Sequence, residues 1–187
     1  ALGRLTAKEP RRAAGILLAN TPPLNVASEL AALVVALGAI LATILAAFSP
    51  EPVVPLFAGL MANPLLLAVI QMMLLMISVI VLHVVGRAFG GRGNFEQAMI
   101  LTVWLQFFVL AIQIALLPVA LISASLGQTL TFLANVFVIW IFVNFVAELH
   151  GFRSLLKVFA GIIAVFFAVF FVFIFLLGIR GLPLEGV

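Results

Sequence analysis

The sequence predicts an all-α integral membrane protein: five transmembrane helices preceded by a cytosolic interfacial amphipathic helix. Three observations predict this. First, 66% of the 187 residues are hydrophobic and only 8% are charged, whereas soluble domains are about 25% charged. A soluble fold of this size has no way to cover so much apolar surface. Second, five apolar runs are each long enough to cross a hydrocarbon core of about 30 Å. Third, eight of the nine basic residues fall on one side of a five-span chain. The net charge of +3 is therefore a topology signal and not a nucleic-acid footprint.

The interfacial segment covers residues 5–20. Residues 1–20 carry the basic residues Arg4, Lys8, Arg11 and Arg12, and an apolar stretch from Ala13 to Leu18 follows. That stretch is too short to span. Pro10 suits a first helical position. Charges beside a short apolar face predict a helix lying at the lipid surface.

The first span covers about 26–48, some 23 residues, or roughly 34 Å at 1.5 Å per residue. Gly38, Ala42 and Ala46 recur every fourth residue. Small residues at that spacing let helices approach closely in lipid. Ser49-Pro50-Glu51-Pro52 ends the run. The second span covers about 64–86, opening on Pro64. The third covers about 95–117 and stops at Pro118. The fourth covers about 129–149, after an uncharged stretch, 119–128, that forms a short turn or a continuation of the helix. The fifth covers about 155–177, with Ala160, Ala164 and Ala168 as a small-residue stripe that should face a neighbouring helix. The whole chain, 1–187, reads as one membrane domain.

Two basic hairpins join the spans. Gly86 to Glu96 carries Gly90, Gly91 and Gly93 among Arg87 and Arg92. Glycine costs a helix about 1 kcal/mol relative to alanine, so the run reads as a flexible turn. Asn94 then caps the third span, with Gln97 three residues on, as in a capping box. The second hairpin, His150-Gly151-Phe152-Arg153-Ser154, leads to Lys157. With the amino-terminal basic residues these hairpins mark the cytoplasmic side, and only Arg180 lies opposite. The amino terminus is expected in the cytoplasm and the carboxyl terminus in the periplasm. Alanine-, leucine- and valine-rich usage points to a bacterial inner membrane.

Two stretches carry a likeness. One is Gly90-Gly91-Arg92-Gly93-Asn94-Phe95-Glu96-Gln97-Ala98. The other is Leu149-His150-Gly151-Phe152-Arg153-Ser154-Leu155-Leu156-Lys157-Val158. With the basic amino-terminal segment and five spans, the chain resembles the bacterial branch of the Yip family of membrane proteins. The resemblance implies a multi-pass protein without an assigned activity. Eukaryotic members interact with Rab-type GTPases. The long acidic, tyrosine-containing cytosolic segment of those members is missing, so GTPase binding does not carry over.

Polar residues inside spans are the first candidates for function. Gln71, Gln106, Gln113 and Asn135 fall at similar depths and form an intramembrane polar seam. It reads either as a path for a solute or as inter-helix hydrogen bonding, commonly about 0.6 kcal/mol per contact. Amides carry no titratable proton, which favours packing. Glu148 shares an interfacial layer with Arg87, Arg92, Glu96 and Arg153. This structural polar cluster reads as ion pairs locking helix ends, with a proton site as the alternative. His83 and His150 are the only histidines and sit near the cytosolic face. They are weak ligand candidates for a haem or pigment, and no surrounding pattern supports that role.

There is no cysteine, no phosphate-binding glycine loop with its lysine and no nucleophile motif. No cofactor, metal or catalytic residue is expected. The reading is a non-enzymatic scaffold or accessory subunit, with the lipid bilayer and other integral membrane proteins as partners. The alternatives are a small transporter or channel using the seam, and a cofactor-carrying anchor using the histidines.

Overall fold

Backbone polar groups inside hydrocarbon must pair within the chain, which leaves helices or closed barrels. This chain uses helices. The computed structural model describes residues 1–47 and 63–179. Their helices are α1 (Leu2–Lys8), α2 (Pro10–Ala19), α3 (Leu24–Ala47), α4 (Pro64–Ala88), α5 (Phe95–Ile122), α6 (Ala124–His150) and α7 (Leu155–Ile179). Five of them, α3 to α7, are long and apolar enough to cross a membrane. The expected end of the first span at Phe48, the proline-rich loop and Arg180 lie outside the described residues.

Caps set the boundaries. The Asn63 side chain accepts from the Leu65 and Leu66 amides, each at 3.1 Å, with Pro64 opening α4. Asn94 forms the expected capping box: its side chain accepts from the Gln97 amide at 2.8 Å, and Gln97 Oε1 accepts from the Asn94 amide at 3.1 Å. Gly151 takes a left-handed conformation (φ 71°) that closes α6. The Phe152 amide donates to the Ala147 carbonyl at 2.8 Å across that turn, the double-bonded glycine stop of helix ends.

Two boundaries differ from the sequence reading. The third span runs through Pro118 to Ile122, and the fourth begins at Ala124. A proline removes one helical hydrogen bond. Unwinding there would strand several backbone groups, so continuing the helix costs less. Ser123 alone breaks the helix, with extended backbone, and its hydroxyl accepts from the Leu126 amide at 3.4 Å. The turn is tight because Gly127 faces Ala120, where an added Cβ would come within 2.7 Å of the Ala120 Cα.

The amino-terminal segment is two helices, broken at Glu9, not one. Its apolar face is packed inside the protein. Ala13 and Ala14 are fully buried, and Ala14 belongs to the main core. That core joins Ala27, Ala31, Val34 and Val35 of α3, Leu75 and Val79 of α4, Met99 and Leu101 of α5, and Ile141, Phe145 and Leu149 of α6. These residues lie toward one end, where α2 meets α3, α4 meets α5 and α6 meets α7. We call it the polar end. From Gln128 to Ala134 and again at Asn135, Val136, Ile139 and Trp140, the far half of α6 is largely exposed.

The first span packs as expected at Gly38, where an added Cβ would approach Gln71 Oε1 to 3.2 Å. Ala42 and Ala46 are half-buried. The fifth span corrects the alanine-stripe expectation. Ala160, Ala164 and Ala168 are exposed. The α7 helix instead rests on α6 through Leu155, Val158 and Ile162. Branched and larger side chains supply more contact area against the valine-rich edge of α6 than a row of methyl groups, which leaves the alanines outward.

Candidate functional site at the polar end

The site is built from four segments: α1–α2, the 89–94 hairpin, the end of α6 and the turn into α7. Its centre is His150, the last residue of α6, which is 2% exposed. The imidazole sits between Gly86, in the last turn of α4, and Gly91 of the hairpin. A methyl group on Gly86 or Gly91 would run into its ring, and one on Gly93 would come within 2.6 Å of Leu149 Cγ. These glycines are sites of close approach, not a flexible turn. Gly90 alone in the hairpin has a positive φ, 83°, where a side chain is disfavoured. His150 Nε2 lies 3.1 Å from the Leu82 carbonyl oxygen. With Nε2 there and Nδ1 against Gly91, the ring has no face open to a haem or pigment. The ligand reading of this histidine fails on space. His83 stands edge-on to Phe95, ring centroids 6.2 Å apart.

Glu148 does find an arginine, but from an unexpected place. Arg11 of α2 donates through Nε to Glu148 Oε2 at 3.4 Å and through its Nη2 to the Phe152 carbonyl at 2.9 Å. One guanidinium thus bridges the end of α6 and the turn beyond it. Gly15, one helical turn after Arg11, faces the same carboxylate: a Cβ there would make an ordinary contact with Glu148 Oε1 at 3.6 Å. Arg87, Arg92, Glu96 and Arg153 are exposed. Among the described residues none of them joins an ion pair. The expected five-residue cluster is therefore corrected to one pair, Arg11–Glu148. Neither the chain order nor local spacing brings residue 11 to 148.

A second tie holds α1. The Trp104 indole donates to Thr6 Oγ1 at 3.0 Å, and that hydroxyl donates to the Leu2 carbonyl at 3.0 Å. Thr6 is fully buried. Trp104 lies nine residues into α5, about 14 Å along its axis, so α1 sits beside the helices rather than beyond their ends. Between α2 and Glu148 an open cleft of about 530 Å³ is lined by Arg11, Arg12, Gly15, Ile16, Ala19, Asn20 and Glu148.

The polar seam does not assemble. Gln71 turns inward, with its Oε1 buried and unpartnered among the described residues. Gln106 is half-buried, whereas Gln113 and Asn135 are on the outer surface. No hydrogen bond joins any two of the four among the described residues. The described residues also bring no three of His, Cys, Asp or Glu together as a metal ion would require. Chemically the site is a clamp: it ties chain segments together.

The Arg11–Glu148 pair predicts a graded result. Both side chains are more than a third exposed, 39% and 37%, so the ionic part is worth about 0–1 kcal/mol. Arg11 also makes a charge-assisted bond to the Phe152 carbonyl. Arg11→Ala should therefore cost about 1–2 kcal/mol, Glu148→Ala about 0.5–1 and Glu148→Gln less. Thermal unfolding in mild detergent measures the series. Arg87→Ala or Arg153→Ala equalling Arg11→Ala would refute the assignment.

Comparison with characterised proteins and with solved structures gives no match. The family model of the Yip1 domain matches residues 8–177. That stretch holds Arg11, Gly15, both hairpins and α3 to α6 entire, and it runs nearly to the end of α7. The chain belongs to the Yip1-domain family, as a multi-pass membrane protein.

Proposed function

We propose that this protein is a non-enzymatic scaffold or accessory subunit that works by binding other integral membrane proteins and the lipid around them. The observation that carries the reading is the placement of α7. It touches the bundle along one edge, at Leu155, Val158 and Ile162, and most of its other described residues, Ala160, Ala164 and Ala168 among them, are exposed. Its exposed alanines allow close approach by another protein's helix, which in lipid is a main source of helix association. The clamp at the polar end holds the amino-terminal pair on the core, which suits a presenting surface more than a moving one.

The orientation belongs to the same proposal. The amino terminus and both hairpins face the cytoplasm of a bacterial cell, and the carboxyl terminus faces the periplasm. The exposed basic residues at the polar end then meet anionic headgroups of that leaflet.

Gentle-detergent purification with identification of co-purifying membrane proteins tests the reading. Ala164→Phe should deplete a co-purifying protein while leaving thermal stability within about 0.5 kcal/mol, as for other surface changes. Loss of stability with the partner retained would place the stripe inside the fold and contradict the proposal.

A further inference from the structure

We infer that the flank of α6 bearing Gln128, Thr131 and Asn135 is a dimerisation face that takes the same flank of a second copy of this chain. The three residues recur at intervals of three and four, so they share one side of the helix. All three are exposed. None has a side-chain hydrogen bond among the described residues. They sit about a quarter-turn round from Gly127, which faces Ala120 in the α5–α6 turn. Asn135 is eleven residues along the helix, about 17 Å from its start, which puts an amide near the middle of a span.

An amide facing hydrocarbon without a partner is costly, because no water replaces its hydrogen bonds. Burial against another helix removes that cost. The chemistry of the flank selects the occupant. Copies of one membrane chain share one orientation, so a two-fold axis along the membrane normal sets each residue opposite itself. Like must then pair with like at every depth. Asn and Gln each carry a donor and an acceptor, and Thr carries both on one oxygen, so this flank satisfies itself. The seven-residue return from Gln128 to Asn135 also suits the shallow left-handed crossing of membrane helices. A different partner would need matching polar groups at the same three depths.

This inference is separate from the partner-binding role of α7, and its test does not depend on any other protein. The chain has no cysteine, so single cysteines report cleanly. Thr131→Cys and Leu133→Cys are placed one at a time and oxidised in membranes with a copper catalyst. Leu133 is 55% exposed and points to the opposite side of α6. A disulfide requires Cα atoms within about 7 Å. Thr131→Cys should give a covalent dimer at least five-fold more than Leu133→Cys. Asn135→Leu in the Thr131→Cys background should lower that yield several-fold at unchanged thermal stability, and Asn135→Gln should restore most of it. Equal cross-linking at 131 and 133, cross-linking of residue 131 to a different protein, or a yield indifferent to Asn135→Leu would each overturn the inference.

Discussion

Gly86→Ala should lower stability by about 2–3 kcal/mol, far above the few tenths expected of a glycine-to-alanine change near a helix end. In isolation alanine favours a helix. Here the added methyl would overlap the His150 ring, which is 2% exposed. Overpacking at a closed site costs about 1–3 kcal/mol. His150→Ala alone should cost about 2–4 kcal/mol, from lost packing and from the Leu82 carbonyl left without its contact. The double variant is decisive, because removing the ring opens room for the methyl. Its loss should be smaller than the sum by about 1–2 kcal/mol, a coupling of the size seen between residues in contact. Additive losses would mean that the two positions do not touch.

Trp104→Ala should cost about 3 kcal/mol, at the low end for large aromatic truncations because the ring is only half-buried. More telling is where the loss appears. The indole holds α1 through Thr6, so the variant should free residues 1–9 to protease while the five long helices stay protected. Thr6→Val keeps the shape and removes the acceptor, leaving the indole N–H unpaired, for about 1–2 kcal/mol. Trp104→Phe should resemble Thr6→Val rather than Trp104→Ala. Unchanged proteolysis in all three would return the amino-terminal helices to an independent place on the lipid surface.

Much of the fold was legible because its signals are local. Apolar runs report span length directly, and Asn94 with Gln97, or Pro64 after Asn63, mark helix starts within four residues. Pro118 misled because proline ends helices in water, whereas hydrocarbon penalises the unwound alternative more. The alanines of α7 misled because a small-residue stripe states that close approach is possible, not which face is covered. The site was harder to read. Glu148 reads from the sequence as an acid in need of a cation, but the nearest basic residues in sequence are not its partners. Arg11 reaches it because the small, fully buried Ala13 and Ala14 let α2 settle into the bundle. Gly86 and Gly91 have their reason in His150, some sixty residues away, and no local pattern announces that.

The account's central claim is that the amino-terminal pair and both glycine turns share one end of a five-helix membrane bundle, with Ser123 at the other. Single cysteines at Lys8, Ser154 and Ser125 in the cysteine-free chain test it most directly, using a membrane-impermeant maleimide on sealed vesicles of both orientations. The account predicts that Lys8→Cys and Ser154→Cys label from the same side and Ser125→Cys from the opposite side only. Labelling of Ser125→Cys and Ser154→Cys from one and the same side would contradict it.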